Sequence, residues 1–176
     1  IILQCVYFIL PAYFANMAPV IVKDIFKKLA VPLDFGKTLG NTPVFGEHKT
    51  FRGLIFGVLF AIIVTYLQYI LYKNNVLLEF AIVDYSNWLM IGFLLGLGSM
   101  IGDLAKSFLK RRLGYEPGKP FIPFDQTDFV IGALAFTYPI VKLSFYKMLL
   151  IWTVSFVLHI IVNHIAFFTG VRREKW

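Results

Sequence analysis

Five long apolar stretches divide this chain, and almost every charge falls between them rather than inside them. They cover about 1–22, 54–72, 88–109, 128–141 and 146–169. A bilayer core takes roughly 20 apolar residues as a helix, and within it only helices or closed barrels satisfy the backbone. The pattern therefore predicts an all-α, polytopic membrane protein, one domain over residues 1–176 with about five transmembrane helices. Composition agrees, because 59% of residues are hydrophobic and only 15% charged, against about 25% charged in soluble domains. The one cysteine, Cys5, sits in an apolar run, which excludes a disulfide framework and a Cys-type metal site.

The charges set an expected orientation. Loops 23–53 and 110–127 and the C-terminal tail fall on one side if there are five spans. That side holds fourteen basic residues, including Lys49, Arg52, Lys106, Lys110, Arg111, Arg112, Lys119, Arg172, Arg173 and Lys175, whereas the other holds Lys73, Lys142 and Lys147. The positive-inside rule then puts the N-terminus outside and both charged loops and the C-terminus in the cytoplasm of a multi-pass cell-membrane protein. Topology, anionic substrates and lipid headgroups account for the net charge of +7 without nucleic acid.

The third stretch is rich in small residues: Gly92, Gly96, Gly98, Ser99 and Gly102. Gly92-x-x-x-Gly96 and Ser99-x-x-Gly102 are expected near one face, where they allow close helix packing. Such a face would also suit the border of a groove for a lipid chain.

Asp103 is the residue that most needs a reason. It lies within a membrane stretch, where a carboxylate costs about 2.5–3.5 kcal/mol at the centre and less near the interface. Lys106, Ser107 and Lys110 follow at helical spacing, so all four share a polar face. Asp125-Gln126-Thr127-Asp128 opens the fourth stretch, with Asp125 read as N-cap and Asp128 in the first turn. Three Asp on two adjacent helix ends make a hard-oxygen site suited to Mg²⁺, and without a nearby Cys or His cluster zinc is disfavoured.

Lys106, Lys110, Arg111, Arg112 and Lys119 crowd these acids. The positive-inside signal suffices for Arg112, but cation-binding acids among phosphate-binding bases are a pattern of nucleotide chemistry. The first loop adds Gly36-Lys37-Thr38-x-Gly40 and Gly46-Glu47-His48-Lys49-Thr50-Phe51-Arg52-Gly53. Neither is a Walker P-loop, since Val31 stands where glycine is required. Backbone N–H groups of such segments nonetheless suit a triphosphate. Asn16, His159, Asn163 and His164 are read as satisfied by interhelical hydrogen bonds. An alternative class is a small transporter or channel subunit, whose intramembrane Asp and His would line an ion path. That reading requires acids near the midplane, not at the helix ends.

The blocks Gly102-Asp103-x-x-Lys106-Ser107-x-x-Lys110-Arg111-Arg112, Pro117-Gly118-Lys119-Pro120 and Asp125-Gln126-x-Asp128 resemble the signature region of the CDP-archaeol synthases. These are archaeal membrane enzymes similar to phosphatidate cytidylyltransferases. Gly46-x-x-Lys49-Thr50-x-Arg52-Gly53, Asp34 and Ala15-Asn16 extend the resemblance along essentially the whole chain. It implies an Mg²⁺-dependent cytidylyltransferase of archaeal phospholipid synthesis, whose partners are CTP, an isoprenoid glycerol ether phosphate and membrane lipids. The phosphate of 2,3-di-O-geranylgeranylglycerol 1-phosphate would attack the α-phosphorus of CTP, releasing pyrophosphate. It further implies a catalytic set of Asp103, Lys106, Asp125 and Asp128. Asp103 and Asp128 would ligate Mg²⁺, with Asp125 a third ligand or an orienter. Lys106, Lys110 and Arg111 would hold CTP phosphates, Lys49, Thr50 and Arg52 would clamp nucleotide or lipid phosphate, and Lys119 would lie near the nucleotide. A CTP-dependent lipid kinase is the other enzyme reading, distinguished by releasing CDP instead of pyrophosphate.

Overall fold

Helices α1 (Ile2–Ile21), α2 (Phe51–Lys73), α3 (Trp88–Arg112), α4 (Phe124–Val141) and α5 (Phe145–Phe168) follow the five apolar stretches in order. The computed structural model describes residues 1–115, 119 and 121–169. Glu116, Pro117, Gly118, Pro120, Arg172, Arg173 and Lys175 lie outside the described residues.

The helices outrun their apolar cores where capping chemistry allows. Thr50 begins α2, its hydroxyl accepting the Gly53 N–H at 3.2 Å. Helix α3 continues through Lys110, Arg111 and Arg112, whose charges favour a helix C-terminus. Helix α4 differs most from expectation. It starts at Phe124 rather than 128, which buries Gln126, Thr127 and Asp128 on the helix. Asp125 is therefore not the N-cap but the second helical residue, and its carboxylate accepts the Phe121 N–H at 2.6 Å.

Among the described residues, four segments are long and apolar enough to cross a membrane: Ile2–Ile21, Phe51–Lys73, Tyr85–Arg112 and Phe145–Ile165. The acidic start of α4 lowers its hydropathy, and its 18 residues reach about 27 Å. Large apolar side chains face outward, among them Ile55, Leu59, Ile63 and Leu67 on α2 and Val157, Ile161 and Ile165 on α5. Polar groups turn inward and bond to backbone. The Thr65 hydroxyl donates to the Ala61 carbonyl at 2.9 Å, Gln68 Nε2 to that of Tyr7 at 2.5 Å, and Ser99 Oγ to that of Ala12 at 3.3 Å. This inside-out distribution is what a lipid solvent selects.

Helix α3 is the centre of the bundle, packed on α1, α2 and α4. Its small residues do not share one face, as expected, but divide among its neighbours. A Cβ on Gly92 or Gly96 would meet Ile62, Thr65, Val58 or Ala61 of α2. Gly98 and Gly102 instead lie against α4, where a Cβ would strike the carbonyl oxygens of Gly132 and Asp128. Gly132 returns the contact onto the Gly98 carbonyl. The α3–α4 crossing is thus backbone against backbone, and it brings the Asp103 and Asp128 turns together. An apolar core of Phe8, Ile9, Ile91, Leu95, Phe129 and Ile151 lies behind it.

The segment between α1 and α2 folds over one end of the bundle. It carries a short antiparallel hairpin, β1 (Thr38–Leu39) and β2 (Thr42–Pro43), and a bridge between Pro32 and Thr50. Arg112 pins the hairpin, donating to Leu39 O at 2.8 Å, Pro43 O at 2.6 Å and Thr42 O at 3.3 Å. The guanidinium also lies over the Phe108 ring, 5.3 Å from its centroid.

Candidate active site

Helix geometry explains why the acids meet. Asp103 and Lys106 are three residues apart on α3 and so lie on one face, and the glycine crossing presses that face onto the first turns of α4. Lys106 Nζ stands at the convergence, 3.2 Å from Asp103 Oδ1, 3.1 Å from Asp125 Oδ1 and 3.0 Å from Asp128 Oδ2. Lys49 Nζ reaches in from the loop to Asp103 Oδ2 at 2.5 Å. Lys110 Nζ contacts Asp125 Oδ2 at 3.1 Å and the Lys119 carbonyl at 2.5 Å. Three carboxylates are matched by three ammonium groups, so the cluster is formally neutral.

Two cavities border this cluster. One, about 390 Å³, is lined by Gly46, His48, Lys49, Lys106, Lys110 and Arg111 and is roofed by the folded loop. The other, about 330 Å³, is an apolar groove along α3 and α4, walled by Ile101, Leu109, Ile131 and Ala135. Lys106 lines both, and Asp128 closes the polar end of the groove.

Asp34 shapes the roof of the polar cavity. Its carboxylate accepts three backbone N–H groups, from Gly36 and Phe45 at 3.0 Å and Gly46 at 3.1 Å. Burial opposes its ionisation, but these bonds outweigh that and hold its pKa below the usual carboxylate value.

Most of the expected site residues are brought together: Asp103, Asp125, Asp128, Lys49, Lys106, Lys110 and Arg111. Lys119 touches the cluster through its backbone. Thr50 is taken up as the α2 cap, although it also borders a small cleft beside Asp103. Arg52 is committed elsewhere, buried and donating to the Ile25 carbonyl at 3.1 Å. Arg112, set aside as a topology signal, is the hairpin clamp. Ser107, expected on the polar face with Lys106 and Lys110, lines the polar cavity, as does His48, to which the sequence assigned no role. The Gly46-to-Gly53 block already contained His48 and was its only signal.

The donor set fits a hard divalent cation in kind, being three carboxylates aimed at one point. Asp128 is 7% exposed, and its Oδ2 accepts no hydrogen bond of good geometry despite the nearby ammonium. Lys106 holds the centre, and among the described residues no group of acids stands ready-made in metal-ligating geometry.

A family model described as CDP-archaeol synthase, CarS-like, matches residues 1–176. The chain belongs to the CDP-archaeol synthase family. A CDP-archaeol synthase of Pyrococcus furiosus is 38% identical over 176 residues, covering 99% of this chain and 95% of that protein. One from Methanocaldococcus jannaschii is 35% identical over 175 residues, covering 97% and 94%. A solved structure described as an intramembrane enzyme for archaeal membrane lipids biosynthesis aligns with a TM-score of 0.76 at 28% identity, covering 93% of this chain and 94% of that one. Family membership makes the chain an enzyme, a nucleotidyltransferase of archaeal lipid biosynthesis, and its apolar helices make it a multi-pass membrane protein.

Proposed function

We propose that this enzyme transfers the cytidylyl group of CTP to the phosphate of 2,3-di-O-geranylgeranylglycerol 1-phosphate, with Mg²⁺ as cofactor. The observation that carries the reading is the position of Lys106. One ammonium is shared by a basic, loop-roofed cavity of a size for a nucleotide and by an apolar groove open along two membrane helices. A water-soluble anion and an amphiphile with a charged head would meet there.

The lipid phosphate is already an anionic nucleophile and needs no general base. Its oxygen forms a new bond to the α-phosphorus of CTP, and the bridging bond to the β-phosphate breaks. The electron pair leaves on pyrophosphate. Lys49, Lys110 and Arg111 hold the phosphates of the nucleotide, and Lys106 faces both reactants, fixing them for in-line approach. Asp103, Asp125 and Asp128 are the residues that would hold Mg²⁺, which when bound neutralises charge on the phosphates. The isoprenoid chains lie against α3 and α4, where Gly102 and Gly132 keep the wall low. The excess of basic residues supports a cytoplasmic site with the N-terminus outside.

The test uses the full chain in detergent with Mg²⁺, CTP labelled at the α-phosphate, and the ether phosphate, a diacyl phosphatidate or no lipid. Label in the ether lipid, release of pyrophosphate and loss of both with EDTA are expected. Release of CDP would indicate the lipid kinase instead, and no nucleotide turnover by folded protein would reject both.

A further inference from the structure

Lys106 stands where a cation would bind. Its Nζ is within 3.2 Å of three carboxylates carried by two helices. Mg²⁺ requires oxygens at about 2.0–2.1 Å, so the carboxylates are spaced for an ammonium and would have to close in around the metal. Charge balance gives the same answer. Lys49, Lys106 and Lys110 already neutralise Asp103, Asp125 and Asp128. A divalent ion arriving alone would expel an ammonium into a cavity lined by further cations, Arg111 among them. Arriving with a triphosphate, it brings the anion that the displaced ammonium needs. Lys106 has room for this move, because it lines the polar cavity as well as the groove and carries a flexible four-carbon stem. Asp128 Oδ2 is buried and faces this ammonium at 3.0 Å, so the ion pair is the interaction the metal would replace there.

We propose that Lys106 is a placeholder cation, neutralising the three carboxylates in the ligand-free enzyme and yielding its position to the divalent metal only when a nucleoside triphosphate enters. This rests on the metal–nucleotide reading above. Metal and nucleotide binding are then coupled, each strengthening the other by the same factor, and the enzyme does not capture free divalent ions.

The test follows Mn²⁺ by electron paramagnetic resonance on the full chain in detergent, first without nucleotide. Wild type leaves Mn²⁺ free, whereas Lys106→Gln binds it at least roughly tenfold more tightly because its carboxylates lack their counter-ion. Lys106→Arg, which keeps the charge, behaves as wild type. With CTP, wild type gives a bound Mn²⁺ signal distinct from that of Mn·CTP alone. Removing the charge is expected to weaken folding, so thermal midpoints are measured in parallel. Mn²⁺ alone raises the midpoint of Lys106→Gln and leaves wild type unmoved. Nucleotide-free Mn²⁺ binding by wild type as tight as with CTP, or as tight as in Lys106→Gln, overturns the proposal. Its failure is separable from failure of the cytidylyltransferase reading, in which wild type would transfer no α-phosphate label to lipid, whether or not it bound CTP.

Discussion

Replacing Gly102 by alanine tests whether the helix crossing sets the geometry of the site. A Cβ there would fall on the Asp128 carbonyl oxygen, 3.0 Å from its carbonyl carbon and 3.2 Å from Gly132 Cα. All three are backbone atoms, so no side-chain rotation relieves the clash and α4 has to retreat by roughly 1 Å. That retreat carries Asp128 away from Lys106, now 3.0 Å distant. Overpacking of this kind costs about 1–3 kcal/mol of stability, and a misplacement of about 1 Å in a positioned site costs roughly 10²-fold in rate. Gly96→Ala is the matched control. Its Cβ would meet Ala61 Cβ at 2.8 Å and Val58 Cα at 2.9 Å, on the α2 side and away from the carboxylates. Thermal midpoints in detergent and kcat for label transfer to lipid are measured on both. Both variants are expected to lose stability, but only Gly102→Ala loses kcat per folded molecule by about two orders of magnitude. Wild-type kcat in Gly102→Ala, or an equal loss in Gly96→Ala, would refute the argument that this crossing positions the acids.

Two further outcomes are expected. Ala135→Phe narrows the α3–α4 groove and raises KM for the ether phosphate by roughly tenfold while leaving KM for CTP unchanged; equal changes in both constants would dissociate the groove from the lipid. Asp34→Asn weakens the bonds to Phe45 and Gly46, each charge-assisted bond being worth about 1.5–3 kcal/mol. It speeds hydrogen exchange at those amides and raises KM for CTP. Because Asp34 has a lowered folded pKa, its contribution is complete above the unfolded value of about 3.9 and is lost as pH falls through the folded one. Amide exchange at Phe45 and Gly46 corrected for intrinsic pH dependence should therefore rise only in that acid window in wild type, and Asp34→Asn should lack the transition.

Apolar length made the five helices legible in the sequence, and Asp103, Lys106, Lys110, Asp125 and Asp128 stood out because charge at a membrane helix end demands a reason. What escaped was three-dimensional. Hydropathy could not locate the start of α4, because Gln126, Thr127 and Asp128 are polar residues buried by packing against α3. Spacing suggested one small-residue face, but a helix surrounded by neighbours uses its glycines on several sides, and only the packing assigns Gly96 to α2 and Gly102 to α4. Arg52 and Arg112 read as phosphate ligand and topology signal, and each donates to loop carbonyls. Basic residues near a site look alike in sequence whether they bind an anion or brace the backbone.

Between Lys23 and Thr50 one residue is buried, and it is the carboxylate of Asp34. The roof of the polar cavity thus has no hydrophobic nucleus of its own. It is held by hydrogen bonds to Asp34 from within and by the Arg112 clamp and the Lys49–Asp103 pair from the bundle. Arg112 and Asp103 belong to α3, and Arg52 of α2 adds a tie to the Ile25 carbonyl. This roof is consequently not a module that could be cut from its anchor. An excised loop would keep its Asp34 bonds and hairpin but lose the contacts with α3 that hold it over the cavity, so a shift of α3 would reach the roof directly.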